Sequence, residues 1–355
     1  MIGAYGNAWI QTPTLDALTC QAVIFDRYYS DTMRLEGIFE SFWRSSTAVI
    51  PEQIENKGVR TILLTDDDDV FHHSAADFTE KHRLELPKID RPVEKIEETQ
   101  FFQAFATIVD LLENRKEGNK SFFFWTHLQG FRGVWDFPSE YRERFRDEED
   151  PAPYLGVAPP EIVAQAEKAI DPDDLQAVME AYAGGISVLD DALAGLLDWF
   201  EESRLDKNTL LVFLSSRGFS LGEHGRIGPN EMLYGENAQL PLWVRFPDGF
   251  EAATRCGFLF KPSDLGDFLA ATMIDESPFD DFKKRLQDLA ESLREILLIG
   301  NSNEEQALLT DEWFLRKTGN RLELYAKPDD RWEVNDVADR CPDVVEELVA
   351  ILEDS

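Results

Sequence analysis

Cysteine is scarce in this chain, and the three that occur, Cys20, Cys256 and Cys341, are widely separated and odd in number. That excludes a disulfide framework and a Cys-x-x-Cys metal clip, and leaves buried or incidental thiols. Long apolar runs are lacking too, since none approaches the roughly 18 to 20 residues that span a bilayer. The opening MIGAYGNAWIQTP lacks the basic-then-apolar order of a signal peptide, so the chain as written is expected in the cytoplasm, without membrane association. A start upstream of Met1 would instead make it periplasmic or secreted. Basic residues are outnumbered, 35 Lys and Arg against 69 Asp and Glu, for a formal net charge of −34. A field of that sign repels nucleic acids and anionic membranes, and disfavours large polyanionic polysaccharides unless a local basic cleft overcomes it. It suits a salty environment, where screening over about 8 Å or less weakens self-repulsion.

What is present is ample material for a core: 355 residues, 43% hydrophobic and 12% aromatic. Apolar β-rich runs at Val59 to Asp66, Ser121 to Leu128 and Thr209 to Ser215 alternate with helical patterns at Phe101 to Arg115 and Asp173 to Glu202. That order predicts an α/β fold with a mostly parallel central sheet flanked by helices. In the long helix Val178, Tyr182, Ile186, Leu189, Leu193, Leu196 and Leu197 share one stripe, and Asp173 and Asp174 sit where the helix dipole favours anions. Gly184 and Gly185 weaken its middle by about 1 kcal/mol each and allow close packing or a bend.

The texture changes after Pro247. A capped segment at Lys261 to Met273 and a charged amphipathic stretch over 280–297 read as helices. Three short strands follow, with Gly319-Asn320 as a turn, and then a terminal helix opened by Pro342. The expected division is an α/β domain over 1–250 and a C-terminal subdomain over 251–355, with a small antiparallel sheet and helices.

The most informative stretch is LSSRGFSLGEHG, Leu214 to Gly225, which follows a strand-like run and precedes LYGENAQLPLWVRFPDG. Together with GAYGNAWIQTPTLDALTCQAVIFDRYYS (Gly3 to Ser30), HLQGFRGVWDFP (His127 to Pro138) and LYAKPDDRWEVNDVADR (Leu324 to Arg340), it resembles the sulfatases of the alkaline phosphatase superfamily, motif by motif and in order. The resemblance implies the same two-part fold and, in active members, four chemical parts. These are a divalent cation, usually calcium, held by carboxylates, a formylglycine nucleophile made from a C/S-x-P-x-R motif, histidines, and lysines.

Each part departs from the pattern. The first aspartate pair and its strand would precede Gly3, outside residues 1–355. After Tyr29 the text is SDTMRLEGIFESFWRSS, with no nucleophile motif. At the later metal loop Ser216 and Arg217 stand for Asp and His, placing a permanent cation where a cation should bind. His127 is kept, Arg132 stands for a second histidine, and Pro229 lies near the family's lysine position.

His127 ends a strand at the carboxyl edge where α/β sites form, so it is a candidate catalytic residue with Arg132, against the plainer reading of a satisfied structural histidine. Arg132 and Arg217 together are a candidate anion site, since guanidinium forks bind sulfate or phosphate without metal; otherwise they are salt-bridge arginines. Ser216 is a degenerate metal position. Glu223-His224 reads as loop support, and His72-His73 beside Asp66 to Asp69 as a solvated loop, because adjacent residues of an extended chain point apart. The expectation is a catalytically impaired sulfatase-like protein that binds a small sulfated or phosphorylated ligand and carries no cofactor. An active arylsulfatase-type hydrolase with calcium, and a structural partner of an active sulfatase, are the alternatives.

Overall fold

The computed structural model describes residues 1–44, 49–114, 121–165, 169–272, 283–284, 287, 296–302 and 305–354. The amphipathic stretch expected over 280–297 falls largely outside them. The N-terminal elements are α1 (Pro13–Thr19), β1 (Val23–Phe25), α2 (Leu35–Trp43), α3 (Ile50–Glu55), β2 (Arg60–Thr65), α4 (Asp68–Phe71), β3 (Glu80–Arg83), α5 (Gln100–Glu113) and β4 (Phe122–His127). Next come α6 (Ser139–Arg142), β5 (Ile162–Val163), α7 (Pro172–Glu202), β6 (Leu211–Leu214), β7 (Ser220–Leu221), β8 (Arg226–Gly228), α8 (Gly235–Ala238), β9 (Leu242–Arg245), β10 (Arg255–Cys256) and α9 (Pro262–Thr272). Strands β11 (Leu297–Ser302), β12 (Glu305–Leu309), β13 (Trp313–Thr318) and β14 (Arg321–Ala326) precede a terminal helix, Pro342–Glu353.

The expected α/β class is what the chain adopts. Strand β2 runs parallel to β3 on one side and β4 on the other. Its alternate residues enter opposite cores, Leu63 with Phe123 and Trp125, and Leu64 with Ala104 and Phe124. Both faces are therefore covered by helices, which is why these strands read as unbroken apolar runs. Local caps set the helices: the Thr99 hydroxyl accepts from Phe102 N at the start of α5, and the Asp171 carboxylate from Asp173 N at the start of α7.

Helix α7 runs unbroken through Gly184-Gly185, and both glycines serve close packing. A Cβ on Gly184 would lie 2.5 Å from the Tyr141 carbonyl oxygen, and one on Gly185 would lie 2.4 Å from the Phe137 ring.

The sequence pattern implies one sheet running through β4 and β6, but the strands divide. Strand β4 is an outer strand of the order β3-β2-β4, and β6 is an outer strand of β10-β1-β9-β6. In the second sheet β1 is parallel to β10 and antiparallel to β9, which is antiparallel to β6. Strand β10, at Arg255–Cys256, thus joins the N-terminal elements.

The three expected C-terminal strands are joined by β11 in a four-stranded antiparallel sheet. Thr318 pairs with Arg321 across the Gly319-Asn320 turn, with Gly319 at φ 55°. One face packs on the terminal helix through Leu308, Leu315, Leu324, Leu348 and Leu352. The other packs on Tyr29, Met33, Leu233 and Tyr234. Beneath that face Arg316, ion-paired with Glu323 and 2.7 Å from Glu305, lies over the Tyr234 ring at 4.2 Å.

Candidate functional site

A cleft of about 1300 Å³ opens between β4 and β6, and His127, Arg132, Ser216 and Arg217 all line it. All four residues singled out in the sequence therefore meet in one place. His127 is the last residue of β4, in register with Thr65 of β2, and its ring stands edge-on to Phe39 at 4.7 Å. The chain then turns through Gln129, whose backbone N–H donates to Asp66 Oδ1 at 2.8 Å and whose side-chain amide donates to the Asp66 carbonyl at 3.1 Å. These bonds tie the loop after β4 to the loop after β2 and bring Arg132 to the rim.

On the opposite wall the turn after β6 is set by backbone contacts. Ser215 Oγ donates to the Arg217 carbonyl at 2.7 Å, and Gly218 N–H donates to the Asn237 carbonyl at 3.0 Å. A Cβ on Gly218 would fall 1.9 Å from the Glu236 carbonyl oxygen, so only glycine lets this turn lie so close to α8. The Arg217 side chain is directed inward as a result, and its Nε and Nη2 are buried without a hydrogen-bond partner.

The electrostatics follow from this crowding of cations. Burial, then the Arg132 and Arg217 guanidiniums, push the His127 imidazole down to about 3, so it is neutral at physiological pH. Burial and then Arg132 lower Arg217 to about 10, although Glu231 and Asp67 act against that shift. Arg132 is lowered by burial, with Asp67 and Glu231 opposing. Burial raises Asp66 to about 6 despite its bond from Gln129.

Asp66, Asp67 and Glu231 are the members of this constellation that sequence reasoning missed. The run Asp66 to Asp69 reads as a solvated acidic loop, and nothing local shows that β2 ends beside β4. The same segment corrects the reading of His72-His73. Asp67 caps α4 by accepting from Asp69 N at 2.9 Å, so the stretch is a short helix instead of an extended loop. His72 faces out, while His73 packs inward against Phe39 and Trp43 with its Nε2 buried and unpartnered.

His224 lies outside the constellation and acts as a brace. Its Nδ1 is 3.0 Å from Glu236 Oε1, its Nε2 is 3.0 Å from the Glu333 carbonyl, and its ring stacks on Tyr234 at 3.5 Å. It thereby fastens the turn after β7 to the segment after β14.

The cation expected from the resemblance can be tested on these donors. A calcium site needs several oxygen ligands converging, most of them anionic. Here the position holds a hydroxyl, Ser216, and a guanidinium with two unsatisfied buried N–H donors. Among the described residues no group of three or more His, Cys, Asp or Glu could hold a metal ion. The donors present at this position therefore do not fit calcium.

Comparison with known proteins places this geometry. The fold, a parallel sheet between helices with a separate antiparallel sheet, is of the alkaline phosphatase type. It is shared with a phosphonate monoester hydrolase of Agrobacterium radiobacter at a TM-score of 0.77 and 14% identity, over 99% of this chain and 92% of that one. It is shared equally with a protein solved in complex with its substrate D-glucosamine-2-N,6-O-disulfate, at a TM-score of 0.77 and 15% identity, over 99% of this chain and 94% of that one. The sulfatase family model matches residues 1–273, so the chain belongs to the sulfatase family.

Among curated relatives, the N-acetylglucosamine-6-O-sulfatase of Bacteroides thetaiotaomicron is 32% identical over 79 residues, which is 22% of this chain and 14% of that protein. The iduronate 2-sulfatase of Mus musculus is 21% identical over 299 residues, 63% of this chain and 53% of that protein. The chain thus spans about half or less of the length of these relatives. Among the described residues no helix is long and apolar enough to cross a membrane.

Proposed function

We propose that the cleft binds the anionic group of a small sulfate or phosphate ester through Arg217 and Arg132, and does not hydrolyse the ester. The observation that carries this reading is the pair of Arg217 atoms, Nε and Nη2, buried and without partners. An unpaired buried charge is costly, and the Nε/Nη2 edge of a guanidinium is the fork that takes two oxygens of a tetrahedral anion. Arg132 at the rim adds a second charge. His127, held neutral, can donate one hydrogen bond but lacks the proton that a general acid at neutral pH would deliver.

Departures from the family's motifs support this reading. No C/S-x-P-x-R motif follows Tyr29, and the donors at the family's metal loop favour an anion. Pro229 has no amine to neutralise a leaving group.

The test is calorimetric titration with inorganic sulfate and phosphate, run beside an assay of an aryl sulfate. Saturable anion binding that Arg217→Met weakens, with aryl sulfate turnover no higher than a heat-denatured control, is the expected result. Turnover above that control, or stoichiometric bound calcium, would overturn it in favour of a hydrolase with a rebuilt site.

A further inference from the structure

The loop that carries Arg132, between the end of β4 and Pro138, has its backbone acceptors engaged by protein donors. Arg132 N–H donates to the Gln129 carbonyl and Gly133 N–H to the Gly130 carbonyl, both at 3.0 Å, closing a tight turn in which Gly130 takes φ 57°. The Trp135 indole donates to the Phe131 carbonyl at 2.8 Å. Two further bonds come from outside the loop. The side-chain amide of Gln100, the first residue of α5, donates to the Val134 carbonyl at 2.6 Å and to the Gly130 carbonyl at 3.3 Å, two residues on either side of Arg132.

Gln100 is fully buried. Its backbone N–H donates to Asp136 Oδ2 at 2.6 Å, which fixes the residue against the far end of the same loop. Its Oε1 is buried and has no hydrogen-bond partner. Turning the amide over would set Oε1 against two carbonyl oxygens, so the loop dictates the orientation and the unpaired acceptor follows from it. A buried acceptor left unpaired opposes folding, and stability alone would favour an apolar side chain at such a position. Both amide donors go instead to the loop of the arginine.

We infer that Gln100 is a positioning residue for the anion site, holding this loop so that Arg132 faces the cleft. A guanidinium carries five donors, and the carbonyls of its own loop are the nearest alternatives in sequence to a ligand. Gln100 and Trp135 engage three of them, at Gly130, Phe131 and Val134. Gln100 does not itself line the cleft, whereas Arg132 does, so its effect reaches the anion through the arginine. The inference rests on Arg132 being a ligand of the bound sulfate or phosphate group, as proposed above.

A double-mutant cycle tests it, by calorimetric titration of inorganic sulfate into the wild type, Gln100→Met, Arg132→Met and the double variant. Gln100→Met keeps the length of the side chain and removes both donors. Each single variant should bind about 10-fold more weakly than the wild type, and the double variant no more weakly than Arg132→Met. Wild-type affinity in Gln100→Met overturns the assignment. So does a loss in Gln100→Met that adds in full to that of Arg132→Met, because damage to the fold at large does not depend on Arg132. Absence of sulfate binding to the wild type, or wild-type affinity in Arg132→Met, instead removes Arg132 from the anion site and the role of Gln100 with it. Should Gln100→Met fail to fold, Gln100→Asn, whose amide is too short to reach both carbonyls, takes its place under the same criteria.

Discussion

Arg217, in the turn after β6, and His127, at the end of β4, face one cleft from opposite walls, and the arginine helps hold the histidine neutral. In a working acid-base site the neighbours of a histidine keep its proton available near neutral pH. Here burial, Arg132 and Arg217 all act the other way. The pair behaves as a cation beside a neutral donor, an arrangement suited to receiving an anion.

His127 and His224 should therefore titrate apart. Burial lowers His224, but its bonds to Glu236 and Glu333 outweigh that and leave it raised. In nitrogen-detected NMR the His127 ring should keep its neutral shifts from pH 8 to pH 4, while His224 titrates above the usual value of about 6.5. For His127 the folded value is the lower one, so its contribution to stability falls as pH drops from about 6.5 toward about 3. For His224 the stabilisation is complete below the unfolded value and is lost as pH rises through the folded one. A His127 signal that titrates near 6.5 would contradict the electrostatic description.

Asp66 carries the opposite cost. Its folded value of about 6 lies above the unfolded value, so the carboxylate weakens the fold as pH rises from about 4 through 6. Asp66→Asn keeps an oxygen to accept from Gln129 N–H and should raise the melting temperature at pH 8 while leaving it nearly unchanged at pH 4. Equal shifts at both pH values would show that desolvation of the charge is not the cause.

The Gly184 contact makes a packing prediction. Alanine usually favours a helix over glycine by about 1 kcal/mol. In this case its Cβ would meet the Tyr141 carbonyl at 2.5 Å. Gly184→Ala should thus destabilise the protein by about 1–3 kcal/mol in urea unfolding, the usual penalty for overpacking. A stabilised variant would mean that α6 moves freely away from α7.

Arg316 is a buried guanidinium held by carboxylates, and its fate should differ from that of Arg217. Arg316 Nη1 and Nη2 are held by Glu305, Glu323 and Tyr234, while its Nε is buried without a hydrogen-bond partner. Arg316→Met removes a charge partner from Glu305 and from Glu323, which keeps Arg321, and should cost about 3–5 kcal/mol. Arg217→Met removes a guanidinium whose Nε and Nη2 are buried without hydrogen-bond partners and should stabilise the unliganded protein by about 1–3 kcal/mol. Like signs for the two substitutions would remove the distinction between a structural and a ligand-directed arginine.

Much of this organisation was legible in the sequence because it rests on local pattern. The apolar runs of β2 and β4, the stripe of α7 and the Gly319-Asn320 hairpin each follow from periodicity or turn chemistry. The convergence of His127, Arg132, Ser216 and Arg217 came from motif resemblance. What escaped was long-range: the separation of β4 from β6 depends on which edges find partners, which no periodicity records. Asp66 and Asp67 looked like solvated charge because only the parallel pairing of β2 with β4 sets them beside Gln129 and the arginines. Glu231 carried no signal at all, lying two residues past Pro229 in an irregular loop.

Calorimetric titration of inorganic sulfate into the wild-type chain and into Arg217→Met tests the central claim most directly. Charge-assisted bonds of about 1.5–3 kcal/mol predict saturable wild-type binding, weakened by about 10- to 150-fold in the variant. Equal affinity in the two proteins, or no binding to the wild type, would contradict an anion site built on Arg217.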